Sequence, residues 1–226
     1  YKKLGIKKLR FLGNLKFISS PNDKLKKIKK EIFKNKNILC SASTHYNEEE
    51  IFANLHIKLK KKIPKFITII IPRHIERTNE IIRMLDNKDL NYVKHSENKK
   101  TKDCDIYIVD SYGESKSFYK ISNVVFLGGS LVSKGGQNPL EPAQLGCQII
   151  FGNHMENFKK ISKEMINKKI AMQIESQEEL NFCLEHLFIK QNKQNNRENI
   201  KKQLSQIQEE GKESIQRSYD EIMKYI

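Results

Sequence analysis

Short apolar runs alternate with longer polar stretches along the chain, beginning near residue 37. The apolar runs are nearly continuous and rich in isoleucine and valine, which is typical of strands buried on both faces of a parallel sheet. Six strands are predicted, at Asn37–Ser41, Phe66–Ile71, Asp105–Val109, Asn123–Leu127, Gln148–Phe151 and Ile170–Ile174. Strands separated by helical stretches indicate an α/β fold with a doubly wound parallel sheet.

The clearest helix is predicted to follow Asn47. Ile51, Leu55 and Leu59 recur at intervals of four, acidic residues open the segment and lysines close it. This order of charges suits the helix dipole, and the apolar positions form one stripe. Asn47 is expected to cap the helix, with Glu50 completing a capping box.

The charge of the chain is strongly positive and unevenly spread. The 226 residues include 42 lysines and arginines against 27 acidic residues, a formal charge of +15. Residues 1–62 alone hold 17 basic and 5 acidic residues. Such a region attracts nucleic acid or the anionic face of a membrane, although lysines also decorate solvated helix faces. The lysine runs lack interleaved aromatic residues and tryptophan is absent, so no nucleic acid partner is expected.

The cysteines and the absence of several sequence motifs restrict the class of protein further. The four cysteines stand singly, without a C-x-x-C pair, which favours buried, reduced thiols in a cytoplasmic protein. No histidine or cysteine pair has metal-ligand spacing, so no metal site is expected. No run approaches the ~20 apolar residues of a membrane-spanning helix. P-loop and G-x-S-x-G patterns are absent, which disfavours Walker-type ATPase and acyl-enzyme chemistry.

Polar and glycine residues follow four of the predicted strands. Open α/β sheets bind ligands beyond the carboxyl ends of their strands, so these loops are the expected site. They comprise residues 42–45, 72–77, 110–114 and 128–142. Four such loops at one edge of a sheet indicate a ligand-binding site more strongly than any one loop alone.

The loop 128–142 carries the features of an anion-binding segment. It holds four of the ten glycines, and glycines let backbone N–H groups approach a phosphate. The loop leads into a predicted helix with Asn138 as its cap and Pro139 in its first turn. Glu141 then projects where a carboxylate can accept hydrogen bonds from both hydroxyls of a ribose. The alternative is a flexible turn followed by an acid that the helix dipole favours.

Arg73 and two histidines are further candidates at the same edge. The planar guanidinium of Arg73 suits phosphate or carboxylate, and the alternative is a surface ion pair with Glu76 or Glu80. His45 and His74 can donate to phosphate or act as acid or base. Histidines in loops are also often incidental to function.

A third loop offers recognition of a base. The backbone of the turn at Tyr112 and Gly113 can read the edge of a base while the Tyr112 ring covers its face, and Glu114 is expected to cap the next helix. The alternative for Tyr112 is packing. The segment Asp103–Asp105 imitates a D-x-D metal motif, but it precedes a strand and is therefore expected at the opposite edge of the sheet.

Several motifs occur in the order and spacing of one family. They are GNLKF at 13–17, STH at 43–45, PRH at 72–74 with ER at 76–77, YGE at 112–114, GGSLV at 128–132, NPLEPA at 138–143 and GNH at 152–154 with NF at 157–158. With these motifs the chain resembles the C-terminal, CMP-binding half of the 3-deoxy-D-manno-octulosonic acid (Kdo) transferases. The resemblance covers roughly residues 11–185.

The resemblance implies a fold, a reaction and a set of site residues. The fold would be the Rossmann-like C-terminal domain of a GT-B glycosyltransferase. The enzyme would move Kdo from the donor CMP-Kdo to a lipid A precursor in lipopolysaccharide synthesis, with inversion and without metal or cofactor. Lys16 would stabilise charge in the transition state. The residues implied to line the CMP site are Pro72, Arg73, Tyr112, Gly113, Glu114, Asn138, Pro139, Leu140 and Glu141, with Ser43, His45, Gly129 and Ser130 as further candidates.

The resemblance also implies how the domains are arranged. Residues 1–18 would form an interdomain linker and residues 19–190 the nucleotide-sugar-binding domain. Residues 191–226, with an apolar stripe from Ile200 to Ile226, would form a helix that returns to an N-terminal domain. That domain, with the acceptor groove, the membrane anchor and the general base, is expected to lie outside this chain. We therefore expect the chain alone to bind CMP weakly and to transfer nothing. The parent enzyme is expected at the cytoplasmic face of the bacterial inner membrane.

Two other functions are compatible with the residues. One is a different GT-B nucleotide-sugar enzyme, either a transferase using a UDP- or GDP-sugar or a related epimerase. The other is a basic module that binds nucleic acid or a membrane surface through residues 1–62.

Overall fold

A single parallel sheet organises the described part of the chain. The computed structural model describes residues 28, 30–97, 104–189 and 193–225. In these residues seven strands pair, all parallel, in the order β3-β4-β2-β1-β5-β6-β7. The strands are β1 (Asn37–Thr44), β2 (Phe66–Pro72), β3 (Tyr92–Lys94), β4 (Ile106–Ile108), β5 (Val124–Leu127), β6 (Gln148–Phe151) and β7 (Ala171–Gln173).

Helices cover both faces of the sheet. The seven α-helices of the described residues are α1 (Glu48–Leu59), α2 (Thr78–Asp86), α3 (Ser115–Ile121), α4 (Leu140–Gln144), α5 (Lys159–Asn167), α6 (Gln177–Ile189) and α7 (Lys193–Ile222). On one face Cys40 and Ile69 join a core with residues of α3, α4, α5 and α7. On the other face Leu39 packs with residues of α1 and α6, and Ile70 with residues of α2. The predicted doubly wound α/β fold is confirmed.

The six predicted strands are all present, with ends that differ by at most three residues. Strand β3, which has three residues and lies at one edge of the sheet, is not among the predicted strands. Asn47 occupies the N-cap position of α1, as predicted, but the predicted capping box is wrong. Asn47 has a left-handed backbone with φ +73° and makes no side-chain capping bond. Glu50 pairs instead with Lys88.

The predicted C-terminal helix is present as α7 and has two unlike parts. Ile200, Leu204 and Ile207 are buried in the core of the domain. Ile215 and Ile222, farther along the same predicted stripe, are exposed. Only the first part of the helix is therefore held by the sheet and its covering helices.

Candidate functional site: the carboxyl edge of the sheet

The four loops selected from sequence follow four adjacent strands. In the sheet order, β4, β2, β1 and β5 stand side by side. After β4 the chain passes through α3 to β5, on the other side of β1. Such a reversal opens a crevice at the carboxyl ends of the strands. The fold thus places the loops along one continuous edge.

The ends of β1 and β2 are joined directly beside Arg73. Thr44 is paired with Pro72, which is buried, and the backbone N–H of Arg73 donates to the carbonyl of Thr44 at 2.9 Å. The Arg73 side chain is exposed. In the described residues its guanidinium makes no hydrogen bond or ion pair, and Glu80 pairs instead with Arg77. The alternative of a surface pair for Arg73 is therefore not observed.

Ser43 sits at an irregularity that turns the end of β1. The register of β1 against β2 shifts between Ala42 and Thr44, and Ser43 has a φ of +57°. A bulge of this kind redirects the residues that follow it. The backbone at Ser43 therefore directs the chain toward the loop after β5.

His45 lies in a cluster of positive groups. Its ring centroid is 5.8 Å from that of His74, and a Cβ added to Gly129 would lie 3.1 Å from the His45 ring and 3.2 Å from Lys134 Cβ. Burial, followed by the charges of His74, Lys134 and Arg73, lowers the pKa of His45. These positive groups would therefore stabilise a negatively charged ligand beside His45.

Two polar atoms of this cluster are buried without a partner in the described residues. They are Nε2 of His45 and Oγ1 of Thr44. Buried polar atoms are nearly always hydrogen-bonded, so each exception calls for an explanation. A ligand oxygen at this edge would provide one.

Glu48, which sequence analysis did not select, organises the turn between β1 and α1. Its Oε2 accepts hydrogen bonds from the backbone N–H groups of His45 (2.9 Å) and Gly129 (2.8 Å), and its Oε1 accepts one from Leu131 (3.1 Å). Glu48 is fully buried, and burial outweighs these bonds and raises its pKa. In the sequence it is one of three consecutive glutamates, with nothing to distinguish it from the other two.

Gly129 and Ser130 form the tight loop after β5. A Cβ on the neighbouring Gly128 would overlap the carbonyl of Ser43. The Ser130 hydroxyl is buried, donates to the carbonyl of Leu127 (2.5 Å) and accepts from the N–H of Gly152 (2.8 Å). The Ser130 side chain therefore joins two loops of the protein.

The segment from Asn138 to Glu141 begins α4. Asn138 Oδ1 accepts from the N–H of Leu140 at 3.1 Å, as expected of a capping residue, although α4 itself starts at Leu140 and has five residues. Pro139 and Leu140 are buried, whereas Asn138 and Glu141 are partly exposed. Asn138 and Glu141 are the members of this motif whose polar groups can reach a ligand.

The turn after β4 differs from expectation in one respect. Glu114 makes no capping bond to α3. Its carboxylate instead accepts from the Ser111 hydroxyl at 3.1 Å and lies 2.8 Å from Nε2 of His95. Tyr112 and Gly113 are exposed, and the Tyr112 hydroxyl donates to Glu76 at 3.2 Å. The Tyr112 ring is therefore not packed in the core.

Lys16 and the motif at 13–17 lie outside the described residues. Within the described ranges, no three His, Cys, Asp or Glu side chains are grouped so that they could hold a metal ion. Nor does any helix there have the length and apolar character needed to cross a membrane. Three of the four cysteines are buried thiols and Cys183 is partly buried.

Comparisons with known proteins agree with the motifs. The chain is 38% identical over 194 residues to a Kdo transferase of Rickettsia bellii, a match covering 83% of this chain and 46% of the relative. It is 31% identical over 225 residues to a Kdo transferase of Haemophilus influenzae, covering 97% of this chain and 52% of that protein. The chain thus spans about half the length of these curated relatives. No protein-family model matches it.

The fold of this chain is also similar to that of a solved structure. The C-terminal CMP-Kdo binding domain of WaaA from Acinetobacter baumannii aligns with a TM-score of 0.71 and 25% identity, covering 79% of this chain and 92% of that domain. The resemblance to the Kdo transferases is confirmed. The expected Rossmann-like fold, shared with domains of GT-B glycosyltransferases, is confirmed as well.

Proposed function

We propose that this chain is the donor-binding half of a glycosyltransferase that moves Kdo from CMP-Kdo to a lipid A precursor. The observation that carries the proposal is the row of four polar loops on adjacent strands, at the crevice where such sheets bind nucleotides. The likeness to a CMP-Kdo binding domain supports the same assignment.

The charges along the edge suit a nucleotide with an acidic sugar. Arg73 is exposed, and in the described residues its guanidinium makes no hydrogen bond or ion pair. His74, Lys134 and Arg73 are all near enough to His45 for their charges to lower its pKa. CMP-Kdo carries a phosphate and the carboxylate of the sugar acid, so it presents two anionic groups. In this proposal the phosphate lies by Arg73, and the ribose hydroxyls donate to Glu141. Negative charge that grows on the departing phosphate is offset by these fixed groups.

The remaining steps of the proposed reaction involve residues beyond the described site. A carboxylate of the N-terminal half would deprotonate the acceptor hydroxyl, which attacks the anomeric carbon of Kdo with inversion as CMP leaves, without a metal ion. Lys16 would stabilise charge in the transition state. The chain alone therefore binds CMP weakly and transfers no sugar. Kdo transfer by purified chain without a second protein would contradict this step.

We further propose that the distal part of α7 contacts the N-terminal half. Ile215, Tyr219, Ile222 and Met223 are exposed, and the relatives are about twice as long as this chain. An exposed apolar row of this kind is typical of an interaction surface. Residues 1–18 would link the two halves and residues 19–190 would form the donor domain.

The acceptor is a lipid, so we propose that the parent enzyme works at the cytoplasmic face of the inner membrane. The positive charge of residues 1–62 supports this location, since each lysine or arginine near an anionic surface contributes about 1 kcal/mol. Sedimentation with vesicles containing anionic lipid tests it. Binding is expected to weaken as salt is raised, and binding that is absent at low salt would contradict it.

Nucleotide titration by calorimetry tests the donor assignment. CMP is expected to bind more tightly than UMP or GMP. Arg73→Ala is expected to weaken CMP binding about 10- to 100-fold, because a hydrogen bond to a charged group contributes about 1.5–3 kcal/mol. Arg83→Ala, which removes an exposed arginine of α2, serves as the matched control. A preference for UMP or GMP would favour another nucleotide-sugar enzyme.

A further inference from the structure

His95 connects the edge strand β3 to the loop that follows β4. It lies directly after β3 and opens a short 3-10 turn, His95–Glu97. Its Nε2 is 2.8 Å from Glu114 Oε2, and its Nδ1 is 2.8 Å from the hydroxyl of Tyr107. Both ring nitrogens are thus within hydrogen-bonding distance of the protein.

The chemistry of the carboxylate fixes the direction of the bond at Nε2. An ionised carboxylate only accepts hydrogen bonds, so Nε2 of His95 carries the hydrogen that it donates to Glu114. In the neutral ring Nδ1 then accepts from the Tyr107 hydroxyl. Burial raises the pKa of Tyr107 to about 12, so its hydroxyl keeps the proton that it donates. His95 therefore links Tyr107 to Glu114 through its two ring nitrogens.

The ring of His95 is also held from the side. It meets the rings of Phe118 and Tyr107 edge to face, with centroids 5.3 and 5.9 Å away. A second contact joins the same two loops, because Ser96 donates to Asp110 through its backbone N–H (2.9 Å) and its hydroxyl (2.5 Å). The loop after β3 thus supports the loop after β4.

The turn that receives this support has little packing of its own. Tyr112 is 56% exposed, and a Cβ added to Gly113 would meet nothing within 4 Å. Gly113 has a φ of +79°, which is one of several conformations that glycine adopts readily. The carboxylate of Glu114 holds the turn from both sides, through Ser111 on one oxygen and His95 on the other.

We propose that His95 is a positioning residue for the donor nucleotide. By orienting Glu114 it fixes the Tyr112 and Gly113 turn in the conformation that receives the base. This inference rests on the proposed function, because it requires that the turn contacts CMP. In this proposal His95 acts through Glu114 and makes no contact of its own with the nucleotide.

Three substitutions separate positioning from packing. In His95→Gln the amide Nε2 occupies the place of the ring Nε2 and can still donate to Glu114. In His95→Asn the shorter amide reaches only the position of Nδ1 and keeps Tyr107 alone. His95→Leu removes both bonds and keeps an apolar side chain. His186→Gln in α6 controls for the loss of a histidine elsewhere.

The readout is the dissociation constant of CMP for the full chain, with the unfolding midpoint of each variant measured alongside. His95→Leu and His95→Asn are expected to weaken CMP binding about 10-fold, as for loss of an interaction with a charged group. His95→Gln is expected to stay within about 3-fold of the parent. His95→Leu binding as tightly as the parent would overturn the inference, and so would equal weakening by Gln and Leu. A parent chain that does not bind CMP would instead overturn the proposed function, and the inference with it.

Discussion

The carboxylate of Glu48 lies 2.8 Å from the backbone nitrogen of Gly129, although 81 positions separate the two residues in the chain. The same carboxylate accepts hydrogen bonds from the N–H groups of His45 and Leu131. One buried side chain therefore fixes the two loops that meet where β1 and β5 end. The positions of the His45 ring and of the backbone at Gly129 both depend on it.

Replacement of Glu48 by Ala is expected to destabilise the fold by about 3–5 kcal/mol, because it leaves buried N–H groups without acceptors. Glu48→Gln keeps one carbonyl oxygen and is expected to cost less. The free energy of unfolding in urea measures both. Glu50→Ala serves as the control, since Glu50 is 56% exposed in its pair with Lys88 and exposed pairs contribute ~0–1 kcal/mol. Equal losses for Glu48→Ala and Glu50→Ala would contradict this account.

Asp105 anchors a buried network at the opposite edge of the sheet. Its Oδ1 is 3.3 Å from Nε2 of His56 and 2.9 Å from Nζ of Lys60, and Nδ1 of His56 is 3.0 Å from the Thr68 hydroxyl. Thr68, His56 and Asp105 are linked in the order of a nucleophile, a base and an acid. A substrate could not reach them, however, because His56 and Thr68 are fully buried. We infer a structural role. Asp105 directly precedes β4, which agrees with the prediction that the D-x-D segment lies at the opposite edge of the sheet from the polar loops.

The Asp105 network predicts a dependence of stability on pH. Burial raises the pKa of Asp105, but hydrogen bonds from His56 and Lys60 outweigh it and hold the pKa well below its usual range. An acid with a lowered pKa contributes stability above its unfolded pKa, ~3.9, and loses it as pH falls toward the folded pKa. Unfolding monitored by circular dichroism is expected to show that Asp105→Ala costs about 1–3 kcal/mol at pH 7 and less below pH ~4.

The control for Asp105 is Glu209→Ala, which removes an acid 67% exposed in its pair with Lys212. It is expected to change stability by less than ~1 kcal/mol at either pH. A cost of Asp105→Ala that stays constant from neutral to acidic pH would argue against the ionised network.

Gly128 and Gly113 are expected to tolerate alanine differently. A Cβ at Gly128 would overlap backbone atoms of Ser43 and Thr44, whereas one at Gly113 would lie in open space and cost only the strain of φ +79°. Thermal unfolding is expected to show a loss of about 3 kcal/mol or more for Gly128→Ala, as for an overpacked core. For Gly113→Ala the expected loss is about 1–2 kcal/mol. The reverse order would contradict the close approach of β1 and β5.

The two parts of α7 are expected to differ in hydrogen exchange. Ile200, Leu204 and Ile207 pack in the core, whereas Ile215 to Tyr225 are mostly exposed. A helical segment without packing opens readily, so amides of residues 200–207 are expected to exchange at least ~10-fold more slowly than those of residues 215–222. Uniform protection along α7 in the isolated chain would oppose the proposed contact with an N-terminal half.

The local pattern of the sequence was sufficient for most of the fold. A strand buried on both faces must be apolar nearly throughout, so runs such as Phe66–Ile71 are visible without knowledge of their neighbours. The edge strand β3 lacks this signal, since only Val93 of its three residues is fully buried. The capping box at Asn47 is absent because Asn47 has a left-handed backbone and the Glu50 carboxylate pairs with Lys88.

The sequence by itself determined the type of sheet, the loops that carry polar chemistry and the family motifs, because these depend on residue type and spacing along the chain. Only the tertiary structure decided which side chains remain available at that edge. It left Arg73 exposed, enclosed the carboxylates of Glu48 and Glu114 within the protein, and placed His95 beside the turn at Tyr112 and Gly113. These outcomes depend on the order of strands in the sheet, which brings residues distant in sequence within hydrogen-bonding reach.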